Sequence, residues 1–433
     1  MIETCLEYYQ NNKIELEKIK TFHDTYKPED AIIWYTKDSF VYRLINKALR
    51  TEDIDLLYLF RFYIVDLCLQ LEHERLSITP LTVYRCQIMS REEFEQFETG
   101  MLISTNTFFS TTRKLNIALA FISNALNTSE QVAVLFDIKI EFGLTCIVVC
   151  DVDKYSEMSG ENEILFSIGT VFKINCMTFD MDQNAFKIVM TATDNGFDKV
   201  QEHITATYEQ FSYMQKPILF GRLLINMGDY LKAERYYNLM LESVEKDSLD
   251  AADIIHETAN INYLKGQFTI ALLKYKYAYD IRKKYLSDTN HPNIAKSLIT
   301  IGNVFYNSKS YDCAIEKYKQ SLAIYHSIYM NEDHSNISKV LINLGKAYIG
   351  KNEHKIALDY LTKALQISRR ILPLNHQDIG ECFEAIGLAY KSLSDYSTAP
   401  QYYIQAFDVY AETLPIEHRR LSRVFNGILD VII

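Results

Sequence analysis

The second half of this 433-residue chain repeats itself, and no other feature of the sequence limits the fold so tightly. The segments His291-Pro292-Asn293-Ile294-Ala295, His334-Ser335-Asn336-Ile337-Ser338 and His376-Gln377-Asp378-Ile379-Gly380 lie 43 and 42 residues apart. Gly302, Gly345 and Gly387 recur with them, as do Tyr306, Tyr348 and Tyr390. A second pattern follows in each unit: Ala314-x3-Tyr318-x3-Leu322, Ala357-x3-Leu361-x2-Ala364 and Ala399-x3-Tyr403-x2-Ala406. Apolar residues at i, i+3/i+4 and i+7 form one stripe on a helix, so each unit reads as a helical hairpin. One hairpin cannot bury its apolar face alone, and stacked hairpins share a continuous core.

A fourth unit covers about residues 249 to 290, with Gly266 in its turn and Ala271-x3-Tyr275-x2-Ala278 in its second helix. A fifth, atypical as terminal repeats are, is visible at Leu224 to Tyr237. The pattern resembles the tetratricopeptide repeat, in particular the 42-residue variety of kinesin light chains, over residues 215 to 415. The resemblance implies an all-α superhelix that binds a peptide or protein on its concave face. Residues 201–433 are therefore expected to hold about five hairpins, with a capping helix after Leu414.

The first 200 residues lack this period. Residues 1 to 20 and 52 to 72 are patterned as helices. Leu81 to Met89, Gln131 to Ile140, Leu144 to Asp151, Ile164 to Ile174 and Ala185 to Ala192 are rich in β-branched and aromatic residues and read as strands. An α+β domain with a mixed or mostly antiparallel sheet is expected over residues 1–200. The glycines at 100, 143, 160 and 169 are isolated, which disfavours a Rossmann site or a P-loop.

A formal charge of −11 argues against a protein that coats nucleic acid. The N-terminus carries acids where an export signal has a basic start, and no window approaches 18 uncharged apolar residues, so no membrane span is expected. The eight cysteines show no CxxC pair and no zinc-like spacing with histidine, which fits reduced thiols in a cytoplasmic protein without a structural metal.

Three elements in the first domain carry chemistry. Arg85 sits in the strand-like Val83-Tyr84-Arg85-Cys86-Gln87-Ile88; a guanidinium among apolar residues either snorkels from an edge strand or holds a planar anion such as a phosphate pair. Ser110-Thr111-Thr112 follow two phenylalanines and precede an apolar helical run, so their hydroxyls either cap that helix or position a ligand and a carboxylate. Glu161 and Glu163 precede Ile164-Leu165-Phe166, and two carboxylates at i and i+2 can meet at one reaction centre.

Arginine, hydroxyl triplet and paired carboxylate in that order resemble the arginine-type (R-S-ExE) mono-ADP-ribosyltransferases. Ile32-Ile33-Trp34-Tyr35-Thr36 and Tyr42 to Arg50 look like further segments of that family, and the likeness spans about residues 25 to 195. It implies an NAD-binding ADP-ribosyltransferase fold, with NAD as substrate and NADP as the alternative donor. Arg85 would hold the phosphates or ribose, Ser110 and Thr111 would bind the donor, and Ser110 would order Glu163. Glu163 would face the positive charge that develops on the ribose as the nicotinamide bond breaks. Glu161 would orient a protein arginine, protonated at neutral pH, and take its proton. Gly160 would give the loop freedom to close on that target. The repeats would recruit it by raising its effective concentration.

Two positions depart from the family pattern: Cys86 stands where a glycine commonly follows the arginine, crowding the site, and Thr112 replaces a serine. The same residues would serve an NAD glycohydrolase with water as acceptor. A non-enzymatic adaptor with a degenerate first domain is the third reading.

Overall fold

The computed structural model describes residues 1–76, 80–123, 127–156, 160–195, 216–286, 288–414 and 418–432. The chain divides into two units, Met1–Met214 and Gln215–Ile433. Among the described residues, no helix is long and apolar enough to cross a membrane.

The first unit opens with helices. Lys13–Thr25 starts at Asn12, whose side chain accepts from the Glu15 amide, and Ile54–His73 starts at Asp53, which accepts from Leu56. Such caps satisfy otherwise orphaned donors and contribute about 1 kcal/mol each. In Phe40–Thr51 the residues Phe40, Val41, Leu44, Ile45 and Ala48 fall on one face and are buried. They meet Phe22, Trp34 and Tyr63 in an aromatic core whose rings pack edge to face, Phe22 to Trp34 at 5.0 Å and Phe22 to Phe40 at 5.5 Å.

Eight strands follow among the described residues: β1 (Leu81–Ser90), β2 (Leu102–Ser104), β3 (Phe109–Thr112), β4 (Gln131–Ile140), β5 (Val149–Asp151), β6 (Glu163–Phe166), β7 (Val171–Asp180) and β8 (Ala185–Ala192). They form one sheet in the order β2-β7-β8-β4-β1-β3-β6-β5. Only β4 and β8 pair in parallel, so the expected mixed, mostly antiparallel sheet is borne out.

Two strand expectations change. Leu144 to Asp151 is extended in the ladder only from Val149, because the amides of Thr145 and Cys146 donate to the Asp194 carboxylate at 2.7 and 3.2 Å. Ile164 to Ile174 breaks at Gly169, which sits at φ +79, and its halves become β6 and β7 in different parts of the sheet. Only a residue tolerant of positive φ makes that turn without strain.

The second unit is a run of antiparallel helix pairs: Lys216–Asn226 with Tyr230–Glu242, Leu249–Leu264 with Phe268–Tyr285, Pro292–Asn307 with Tyr311–Ile328, Ser335–Gly350 with His354–Ile371, and Gln377–Ser392 with Ala399–Thr413. Arg419–Ile432 follows. The repeated glycines exist for close approach. A Cβ at Gly302 would lie 2.6 Å from the Tyr318 ring, and one at Gly345 would lie 2.5 Å from Leu361 Cγ.

The repeated histidines start helices: Nδ1 of His291, His334 and His376 each accepts from the amide two residues on, at 3.1 Å. His418 does the same at 3.2 Å and extends the series. The aromatic residue three positions past each glycine is Phe305, Tyr348 or Tyr390, so Tyr306 falls one residue out of phase. Accordingly Tyr348 and Tyr390 stack on Tyr360 and Tyr402, while Tyr306 meets Tyr311 edge-on.

Candidate active site

β1 lies inside the sheet, fully registered with β4 on one side, with Arg85 opposite Phe136. Its other neighbour, β3, is registered with it only at Tyr84 and Thr112. The ladder ends there, and the Arg85 side chain takes over: Nη1 donates to the Ser110 carbonyl at 2.8 Å, and Nε donates to Gln87 Oε1 at 3.2 Å. The guanidinium lies 4.8 Å from the centre of the Phe109 ring. Nη2 donates to no acceptor among the described residues. Arg85 is therefore a half-buried group in an interior strand, not an edge-strand arginine snorkelling to solvent.

Ser110 joins the two charged groups. Its carbonyl accepts from Arg85, and its Oγ donates to Glu163 Oε1 at 2.5 Å. β3 pairs with β6 so that Ser110 lies opposite Leu165 and Thr112 opposite Glu163, and strand alternation puts Ser110 and Glu163 on one face. Thr111, buried, spends its hydroxyl proton on the Ile164 carbonyl at 2.8 Å. The hydroxyl triplet is thus part of a strand. The helix that follows, Leu115–Ala120, begins at Lys114 without a side-chain cap of its own; Thr112 Oγ1 accepts from the Lys114 amide at 3.1 Å, so of the triplet Thr112 alone serves the helix start, and Ser110 and Thr111 do not cap it.

The segment ahead of β6 is held through its backbone. Thr112 Oγ1 donates to the Glu161 carbonyl at 2.6 Å, the Arg113 amide to the Asn162 carbonyl at 3.2 Å, and Lys114 Nζ to the Gly160 carbonyl at 3.2 Å. Gly160 adopts φ +105 and Asn162 φ +49, conformations suited to glycine and asparagine. The Gly160 carbonyl accepts from Lys114 and its amide donates to Asp153, so Gly160 shapes this turn.

Arg85, Ser110, Thr111, Glu161 and Glu163 all line one cleft. Tyr42 and Phe121 line it too, and both are exposed. Tyr35 and Asn46, from the two upstream segments, are joined at 3.2 Å beside it, with Tyr35 packed edge-on against Tyr42. Cys86 reaches the cleft wall while its thiol is buried near Ala118 and Ile122, and burial pushes it up to about 12. It is an apolar filler at neutral pH, not a thiolate.

Electrostatics single out Glu163. Burial raises its carboxyl above the ordinary range, the Ser110 hydrogen bond opposes that rise, and the charges of Glu161 and Asp153 add to it. Burial lowers the Arg85 guanidinium from its usual value. A guanidinium nonetheless stays charged in proteins. The cleft thus offers a fixed cation, a hydroxyl and two carboxylates, of which Glu163 is the desolvated one.

The sequence reading missed Asp153, whose Oδ1 accepts from the amides of Gly160 and Asn162. An acid whose bonds, among the described residues, go to backbone seven and nine residues away leaves no side-chain pattern to find.

Residues 7–195 match the family model of the ADP-ribosyltransferase exoenzymes, and residues 336–412 match that of the tetratricopeptide repeat. No curated protein matches the chain. Among solved structures, the chain is similar to the Vis toxin, an ADP-ribosyltransferase from Vibrio splendidus, with 21% identity over 40% of this chain and 75% of that one, at a TM-score of 0.32. A Vis structure in complex with agmatine gives 21% identity, 40% and 76% coverage, and a TM-score of 0.33. The repeats of a putative kinesin light chain from Podospora anserina give 18% identity over 46% of this chain and 99% of that one, at a TM-score of 0.38.

Proposed function

We propose, from an N-terminal ADP-ribosyltransferase exoenzyme domain followed along the chain by tetratricopeptide repeats, that this protein moves ADP-ribose from NAD to an arginine of a target protein. Residues 1–200 carry the reaction and residues 201–433 the partner binding. One observation carries the reading: Ser110 bonds both Arg85 and Glu163, in a cleft that Glu161 also lines.

Each residue then has a task. Arg85 presents its unshared Nη2 edge to the phosphates or ribose of NAD, and Thr111 supports the donor site through β3. The bond from ribose C1′ to the nicotinamide nitrogen breaks, its electron pair leaves with nicotinamide, and positive charge develops at C1′. Glu163, held by Ser110, stabilises that charge as it forms. A protonated guanidinium cannot attack, so Glu161 takes one of its protons while a nitrogen bonds to C1′. The acceptor specificity is supported by the presence of Glu at 161, a base, and by the agmatine complex of the similar Vis toxin.

NAD is the donor in this reading, with NADP as the alternative. All eight cysteines are free thiols, which suits action in the reducing cytoplasm. The repeats hold a peptide or protein ligand and raise the local concentration of the target. Incubation with labelled NAD and agmatine tests the reading: wild type labels agmatine, and Glu163→Ala does not. Nicotinamide release without labelled agmatine assigns a glycohydrolase, and no turnover assigns an adaptor.

A further inference from the structure

The backbone around Glu161 is fixed from several directions: Thr112, Arg113 and Lys114 hold its carbonyls, and Asp153 holds its amides. Asp153 sits in the short turn Asp153–Tyr155 after β5. Its Oδ1 accepts from the Asn162 amide at 2.9 Å and from the Gly160 amide at 3.3 Å, the residues on either side of Glu161. The turn itself is anchored. Asp151 Oδ1 accepts from the Asp153 amide at 3.2 Å, Lys154 pairs with Glu74 at 2.5 Å, and Thr36 Oγ1 donates to the Tyr155 carbonyl at 3.3 Å. Asp151 also pairs with Arg113 at 3.0 Å, and the Arg113 amide in turn holds the Asn162 carbonyl.

We propose that Asp153 is a positioning residue for acceptor transfer: by clamping the amides that flank Glu161, it aims that carboxylate at the incoming guanidinium. The role rests on the transferase reading above. Glu163 keeps its place without the clamp, because β6 pairing and Ser110 fix it, and loss of the Asp153 charge, which adds to the rise of the Glu163 carboxyl, only favours the ionised form that cleavage needs. Loss of the clamp therefore separates the two half-tasks. NAD cleavage persists and the choice of acceptor degrades, since a misplacement of about 1 Å in a reacting group costs about a hundredfold in rate. A purely structural role would lower both reactions together.

The test compares wild type, Asp153→Ala and Asp153→Asn as full chains, with labelled NAD and agmatine. Nicotinamide release and agmatine labelling are read in parallel, and amide hydrogen exchange is read at Gly160 and Asn162. Asp153→Ala is expected to lower the ratio of labelled agmatine to released nicotinamide by about tenfold to a hundredfold, with faster exchange at both amides. Asp153→Asn keeps an oxygen acceptor and should restore both. Unchanged exchange in Asp153→Ala, an unchanged ratio, parallel loss of both reactions, or failure of Asp153→Asn to rescue overturns the positioning role. A wild type that releases no nicotinamide overturns the transferase reading and the proposal with it, whereas wild-type turnover with an unchanged ratio in Asp153→Ala overturns the positioning role alone.

Discussion

Ser110 Oγ donates to Glu163 Oε1 across 2.5 Å, and this bond works against the burial that raises the carboxyl of the residue assigned to NAD cleavage. Desolvation raises the Glu163 carboxyl above its ordinary value of 4.5, and the serine hydroxyl works against that rise by bonding the charged form.

The consequence is a pH profile. Charge stabilisation needs ionised Glu163, so kcat/KM for NAD cleavage should climb as pH rises through the raised pKa and then level. Ser110→Ala removes the bond that favours the carboxylate, and the acid limb should move to higher pH, with activity on that limb down by about tenfold or more. A pH series of nicotinamide release checks it. An unmoved limb removes Ser110 from the account.

Stability runs the other way. A carboxyl raised in the folded state contributes stability that is full below the unfolded pKa and is lost as pH rises through the folded one. At neutral pH, Glu163→Gln should therefore raise Tm while abolishing NAD cleavage. Calorimetry at pH 7.5 is the check.

Arg85 cannot be replaced by lysine without loss. The three donors of an ammonium share one nitrogen, whereas the guanidinium fork reaches Gln87 Oε1 from Nε and Ser110 O from Nη1 and keeps Nη2 for phosphate. A lost charge-assisted bond costs about 1.5–3 kcal/mol. Titration calorimetry should show NAD binding to Arg85→Lys weakened by about tenfold to a hundredfold.

In the repeats, a methyl group is enough to disturb packing. A Cβ at Gly345 meets Leu361 Cγ at 2.5 Å, a fully buried side chain, whereas a Cβ at Gly387 meets Tyr403 at 3.1 Å. Overpacking costs about 1–3 kcal/mol. Gly345→Ala should destabilise more than Gly387→Ala in urea unfolding.

Two of the histidine caps, His334 and His418, make the repeats sensitive to acid. Burial, and then the charge of Lys339, lowers the His334 pKa below 6.5, and its Nδ1 must be unprotonated to accept from Asn336. A depressed folded pKa means stability that is present above the unfolded value of 6.5 and is lost as pH falls through the folded one. His256, buried beside Arg282, and His418 shift the same way. His334→Asn keeps a capping acceptor that does not titrate, so the difference in urea midpoint between pH 8 and pH 5 should shrink.

The repeat half was legible because its period is a packing rule: in three of the five hairpins a glycine faces a ring or a leucine and a histidine starts the first helix, while the pair that Leu249–Leu264 opens puts Ser248 and Ala259 at those places. The same rule reaches His418, 42 residues past His376, where Leu421 keeps the phase of Ile379; no glycine follows in register, and the series looked finished. In the first unit, Gln131–Ile140 and Ala185–Ala192 were readable to the residue. Neighbours across the sheet were not, and they decide the chemistry. Whether Arg85 lies at an edge or inside, and whether Ser110 to Thr112 cap a helix or join a strand, depends on partners about 25 to 50 residues away. Three hydroxyls are too short a run for any period to settle that choice.

The account rests most heavily on a division of labour between Glu163, which cleaves, and Glu161, which admits arginine. Glu161→Gln tests it directly, with nicotinamide release and labelled agmatine measured in the same reaction. The account predicts that nicotinamide release continues while agmatine labelling is lost. Equal loss of both, or labelling that survives at the wild-type ratio, would contradict it.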